Sequence, residues 1–217
     1  MDACGGGGFR LYTQLNQEVN VQIYLIRHGE TIWNKEGRYQ GSIDVPLSEE
    51  GVRKLKKADF TPDIVYVTPL QRTVQTARII FPDSVLETAP ELREMCFGDF
   101  EGRTFREMEN DADYRSWVDS GCMSRCPNGE SKARFTVRIR RGFDELMNRA
   151  LEEGRDQIVI VAHGGTQMAL MWQYGIPKKD YFEWAAPNGC GYLLDAGDWK
   201  KKKQLSVIKN VSFVCSD

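Results

Sequence analysis

The stretch 21–31, VQIYLIRHGET, constrains this chain more than any other. Its run from Val21 to Ile26 is rich in Val, Ile, Leu and Tyr, is bounded by polar residues and is too short for most helices. That pattern predicts a largely buried strand. The run breaks off at Arg27, and His28 and Gly29 follow at once. In open α/β sheets ligands gather beyond the carboxyl ends of strands, so a cation and an imidazole stand where a site is expected. Arg27 offers a planar fork of donors to phosphate oxygens, Gly29 lets backbone come close, and the imidazole of His28 can attack phosphorus or stabilise charge. Alone, the tripeptide reads equally well as a surface turn.

A second stretch repeats the pattern. Residues 157–162, QIVIVA, form the clearest buried strand in the chain, and His163-Gly164-Gly165 follow directly. The helix predicted over 166–174 would point free N–H groups toward an anion beyond those glycines, which makes Gly164 a candidate phosphate contact. The chain has two histidines, and each follows a buried strand and precedes a glycine. Core histidines would have no reason to occupy two strand ends, so both are assigned to one site. Two histidines without paired cysteines make a poor zinc set, and no metal or cofactor is expected.

The remaining elements fit an α/β chain. The polar loop 30–47 supplies Asn34, Gln40 and Gly41 as candidate substrate contacts. Ser48 reads as an N-cap for a helix to about Lys57, with Glu49 and Glu50 in its first turn. A strand over 63–67 leads into a helix ending near Ile80, and Arg72 in its first turns repeats the placement of Arg27 just past a strand end. A third short strand is read at 84–87. The segment LREMCFGDFEGR carries Glu91, Glu94, Asp99 and Glu101 among aromatics, where a carboxyl pKa can rise as a general acid requires. Spacing does not choose among the four. One or two irregular helices are expected over 103–119, a loop over 121–129, and a long helix over 130–152 that buries Phe135, Ile139, Phe143, Leu146 and Met147. Strands over 191–195 and 204–211 around a turn at 197–203 suggest an antiparallel hairpin at one sheet edge.

Totals narrow the function classes. The 217 residues suit one domain with a substantial core, read here as 19–217 behind a flexible Gly-rich extension over 1–18. The net charge of −2 carries no basic surplus for nucleic acid, and the lysine run 200–203 reads as a solvated turn. No stretch is long and apolar enough for a membrane span, and the start lacks a signal-peptide pattern. Cysteines at 4, 96, 122, 126, 190 and 215 form no Cys-x-x-Cys pair and read as free thiols of a cytoplasmic protein.

Arg27-His28-Gly29-Glu30-Thr31, with Trp33-Asn34 and GRYQGSIDVPLSEEG after it, resembles the signature of the histidine phosphatase superfamily, also called phosphoglycerate-mutase-like. The resemblance continues in order through TPLQRTVQTA around Arg72, LREMCFGDFEGR around Glu94, PNGES at 127–131 and VAHGG around His163. It implies a three-layer α/β/α sandwich with a mostly parallel sheet. It also implies His28 as the nucleophile that becomes phosphohistidine, Arg27, Arg72 and His163 as the groups holding the phosphoryl oxygens, and Glu94 as the proton donor. The segments FGDFEGR and GRYQGSIDVPLS are similar to those of α-ribazole phosphatases and broad-specificity phosphatases, so the expected substrate is a small-molecule phosphomonoester.

A phosphoglycerate mutase and a phospho-ligand-binding domain without turnover are the alternatives, with a scaffold or metal protein using Cys122 and Cys126 behind them. Residues 103–132 are expected to cap the site. With 37–46 they bring Arg38, Arg103, Arg106, Arg115, Arg125 and Lys132 together with Tyr39, Phe105, Tyr114 and Trp117, a mixture suited to a partly aromatic or sugar-like leaving group.

Overall fold

The computed structural model describes residues 21–215, so the extension read at 1–18 lies outside the described residues. Seven strands form one sheet among them: β1 (Gln22–Arg27), β2 (Ile64–Val67), β3 (Val85–Thr88), β4 (Gln157–Ala162), β5 (Gly175–Ile176), β6 (Cys190–Asp195) and β7 (Leu205–Ser212). Their order across the sheet is β3-β2-β4-β1-β6-β7-β5. The four strands from β3 to β1 run parallel, whereas β6 lies antiparallel to β1 and β7 antiparallel to β6. The expected hairpin is therefore present. The outermost strand on that side is the two-residue β5, which pairs with β7.

Both faces of the sheet are apolar, as central parallel strands require. Ile23, Leu25, Ile158 and Ile160 point into one core with Phe135, Ile139 and Phe143 of α5 (Lys132–Glu152) and Leu170 of α6 (Gly164–Tyr174). Ile26, Val159 and Val161 point into the other with Ala77 and Ile80 of α3 (Gln71–Ile80). This is the three-layer arrangement. The helical period of α5 buries all five of its expected core residues, and Gly154 follows its end at φ +69°, a left-handed geometry that favours glycine.

Several elements depart from the sequence reading. Thr31 caps a one-turn helix, α1 (Ile32–Glu36), inside the expected loop, through a capping box with Asn34. A five-residue helix is too short to show a period. The helix capped by Ser48, α2 (Glu49–Lys54), stops early because Leu55 is extended and bridges to Val214, while the Lys56 N–H donates to Phe213 O at 2.9 Å. Only the second half of 103–119 is helical, as α4 (Ala112–Asp119), capped by Asp111. The lysine run is solvent-exposed as expected, but it forms the short helix α7 (Trp199–Lys202) anchored by the buried Trp199.

Phe143 is fully buried against Tyr174 and Trp199, whereas Phe105 is 57% exposed. Phe143→Ala is expected to cost about 3–5 kcal/mol in urea unfolding, and Phe105→Ala to stay within about 0.5 kcal/mol.

Candidate active site

β1 and β4 pair in parallel with Arg27 opposite Ala162, so the next residue of each strand is a histidine. The backbone N–H of His28 extends the ladder to Ala162 O at 2.9 Å. The rings of His28 and His163 consequently meet edge to face, with centroids 5.3 Å apart. His28 is 4% exposed and His163 is fully buried. His28 Nδ1 lies 2.7 Å from Gly29 O. A carbonyl only accepts, so Nδ1 carries the proton and Nε2 is left with its lone pair. Burial, with the charges of Arg72 and Arg27, holds the His28 pKa well below the usual histidine value, so the ring is neutral.

Gly29 serves this geometry rather than offering its N–H to a ligand. That N–H donates to Thr76 Oγ1 at 2.8 Å, and the Gly29 carbonyl orients His28. Asn188, which the sequence reading missed, donates from Nδ2 to His28 O at 3.0 Å and to Asn34 Oδ1 at 3.2 Å. Its only sequence signal was the turn pair Asn188-Gly189 before β6.

Arg72, at the start of α3, is fully buried. Its guanidinium donates to Gly41 O at 2.8 Å, Ile43 O at 3.0 Å and His163 Nδ1 at 3.3 Å. Gly41 thus contributes its carbonyl to holding Arg72. The Gln40 amide fits its neighbours when its nitrogen donates to Thr31 Oγ1 and its oxygen accepts from Arg72. Burial pulls the Arg72 pKa down to about 10, against the carboxylates of Glu94, Asp44 and Glu101, and leaves it charged at neutral pH. Because Arg72 Nε can only donate, the proton of His163 sits on Nε2, which donates to Thr68 Oγ1 at 2.9 Å. Both ring nitrogens of His163 are therefore engaged, one by Thr68 and one by Arg72. Arg27 donates from one terminal nitrogen to Ala186 O at 2.9 Å, while its buried Nε has no protein partner.

Structure separates the four carboxylates that spacing could not. Glu91 pairs with Arg141, Asp99 accepts from Asn128, and Glu101 accepts the N–H groups of Ser42, Ile43 and Phe97. Glu94 alone among them lines the cleft with His28. Its oxygens accept the N–H groups of Met95 at 2.9 Å and Gly165 at 2.8 Å. The N-terminus of α6 is therefore turned on the protein's own carboxyl group. Burial raises the Glu94 pKa despite these bonds and the nearby Arg72 and Arg27. A Cβ on Gly165 would collide with that carboxyl, a constraint the sequence reading did not draw.

The cleft has a volume of about 340 Å³ and includes Arg27, His28, Asn34, Gln40, Glu94 and Gly164. Of the cations expected above it, Arg38 and Lys132 line it. Arg38 pairs with Glu36 and Glu107, and Arg103 with Asp111. Trp117 and Tyr39 also line it, whereas Tyr114 stands behind them, bonded to the Tyr39 hydroxyl at 2.9 Å. Tyr181 and Phe182, from a 3-10 turn at Tyr181–Trp184, form a wall that the sequence reading did not foresee. Lys132 sits 3.7 Å from the Tyr181 ring centroid. Among the described residues no three His, Cys, Asp or Glu side chains gather in a way that could hold a metal ion. No helix there is long and apolar enough to cross a membrane, and the five described cysteines are unpaired.

Residues 23–208 match the family model of the histidine phosphatase superfamily (branch 1). The chain is 30% identical over 185 residues to the adenosylcobalamin/alpha-ribazole phosphatase of Escherichia coli K12, covering 81% of this chain and 90% of that protein. It is also 30% identical over 181 residues to phosphoserine phosphatase 1 of Hydrogenobacter thermophilus, covering 74% and 84%. The solved alpha-ribazole phosphatase of Shigella flexneri superposes with a TM-score of 0.77 at 26% identity, over 91% of this chain and 99% of that one. With its two in-register histidines and a mixed seven-stranded sheet, the chain belongs to the histidine phosphatase superfamily, branch 1, and is an enzyme of the phosphatase type.

Proposed function

We propose that the chain is a metal-independent phosphomonoesterase that works through a phosphohistidine on His28, with Glu94 as proton donor, and that α-ribazole phosphate or a similar small phosphomonoester is its substrate. The observation that carries this reading is the fixed tautomer of His28. With Nδ1–H bound to Gly29 O, Nε2 is the nucleophilic nitrogen, and the cation formed on attack is stabilised by the same carbonyl. The α-ribazole assignment rests on likeness to the relatives and on the rings of Tyr39, Trp117 and Tyr181 along the cleft. In this reading 19–217 act as one domain, 103–132 form its cap, and unpaired cysteines suit a cytoplasmic setting.

Arg27, with its unpartnered Nε, and Arg72 receive the phosphoryl oxygens, and Asn34, Gln40 and Gly164 complete the cradle. Nε2 of His28 attacks phosphorus as the bond to the leaving oxygen breaks, and that oxygen takes the proton of Glu94. Water then attacks the phosphohistidine, giving a proton back to Glu94, and phosphate departs with His28 neutral again. His163 orients Arg72 throughout.

His28→Ala is expected to abolish phosphate release measured in EDTA, and interconversion of 3- and 2-phosphoglycerate without phosphate release would replace the proposal with a mutase. Glu94→Gln should lower kcat/KM for alkyl phosphates by roughly a hundredfold to ten-thousandfold while sparing kcat/KM for p-nitrophenyl phosphate, whose leaving group needs little protonation. Gly165→Ala, which displaces the Glu94 carboxyl, should share that leaving-group dependence, and equal losses on both substrates would contradict the role of Glu94. The depressed His28 pKa keeps the nucleophile neutral as pH falls, and the raised Glu94 pKa keeps the acid protonated above the usual carboxyl range. For a poor leaving group kcat/KM should therefore fall as pH rises through the Glu94 pKa, and Glu94→Gln should lack that alkaline fall.

A further inference from the structure

Behind Glu94 stands a part-buried ion pair whose two residues do not themselves line the cleft. Arg138, on α5, is 10% exposed at its side chain and pairs with Glu130 at 2.7 Å. A guanidinium has five N–H donors, and all five are used. Two go to the Glu130 carboxylate, at 2.9 and 2.7 Å. The other three go to the carbonyls of Glu91 at 2.8 Å, Arg93 at 2.9 Å and Glu94 at 3.1 Å. Glu130 in turn accepts the Cys96 N–H at 3.0 Å, and its own backbone N–H donates to Cys96 O at 2.8 Å. The turn that carries Glu94 is thus gripped on both sides.

One of these bonds reaches the chemistry directly. The Glu94 carbonyl and the Met95 N–H belong to the same planar peptide, so fixing one fixes the other. That Met95 N–H is the donor to Glu94 Oε1. From this geometry we infer that Arg138, held by Glu130, is a positioning residue that locks the Glu94–Met95 peptide and through it aims the Glu94 carboxyl at the leaving group. The inference rests on the proposed role of Glu94 as proton donor.

The same lock bears on protonation. The Met95 bond favours the ionised carboxyl and offsets part of its desolvation. The groups that face Glu94 are Arg27 at the end of β1, Arg72 on α3, Tyr181 on the 3-10 turn and the Gly165 N–H at the start of α6, with His28 in the same cleft. None of these is bonded to Arg138, but its charge also reaches the site, where it acts on His163, so Arg138→Lys, which keeps the charge, separates the effect of the peptide from the loss of a cation. Freed of the fork, the peptide turns, the Met95 bond weakens, and the Glu94 pKa rises further.

The test is the pH dependence of kcat/KM on an alkyl phosphate and on p-nitrophenyl phosphate, for the full chain and for Arg138→Met, Arg138→Lys and Glu94→Gln. Arg138→Met is expected to move the alkaline limb up by about half a pH unit or more, and to lower kcat for the alkyl ester about tenfold with KM little changed. If Arg138→Met does not fold, Arg138→Lys keeps the charge but has three donors in place of five and should move the limb in the same direction. A limb that stays in place, with equal losses on both substrates, would reduce Arg138 to a structural residue and overturn the inference. A limb that persists in Glu94→Gln would instead remove Glu94 as the acid, and with it the proposal on which this one stands.

Discussion

The parallel pairing of β1 with β4 is the interaction on which the site depends. Its register sets Arg27 against Ala162, and each strand continues into a histidine as the ladder ends. A shift of one residue would turn His28 to the other face of the sheet and break the edge contact with His163. Register is secured by burial on both faces, since Ile26, Val159 and Val161 fill one core while Leu25, Ile158 and Ile160 fill the other. The hydrophobic layers thereby place the polar groups at the strand ends.

Around those histidines, burial works on every ionisable group in the direction that lowers charge. His28 and His163 are held neutral, and the Glu94 carboxyl is held toward its protonated form. Burial lowers the pKa of Arg27 and of Arg72 as well, opposed at both by the carboxylate of Glu94, and backbone carbonyls at 186, 41 and 43 accept some of their donors. In the proposed reading, the cations Arg27 and Arg72 beside a neutral His28 suit a phosphomonoester dianion. In the proposed mechanism the same desolvation keeps His28 neutral for attack and favours the protonated form of Glu94, so one physical cause serves both halves of the reaction.

Much of this was legible along the chain, for identifiable reasons. Strands 157–162 and 63–67 and the core face of α5 show their periods plainly, because apolar residues recur where packing demands them. The two His-Gly junctions, Arg72 and the capping role of Ser48 carry local signals as well. Where contacts came from distant segments, the reading was incomplete. The end of α2 is set by Val214 and Phe213, the wall of Tyr181 and Phe182 comes from a turn without a period, and Asn188 acts on His28 across 160 residues. Of the N–H groups foreseen as free at the start of α6, that of Gly165 is spent on Glu94.

The order of residues along the chain was enough to establish the α/β class, the strands that end in histidine, and the types of residue available to handle a phosphoryl group. These follow from local periodicity and from side-chain chemistry, which neighbours in the chain are enough to specify. Packing chose which of four carboxylates enters the cleft, which nitrogen of His28 carries its proton, and that Arg138 grips the turn bearing Glu94. Each of those depends on a hydrogen bond or a degree of burial that exists only when separate segments are brought together, and no spacing along the chain encodes it.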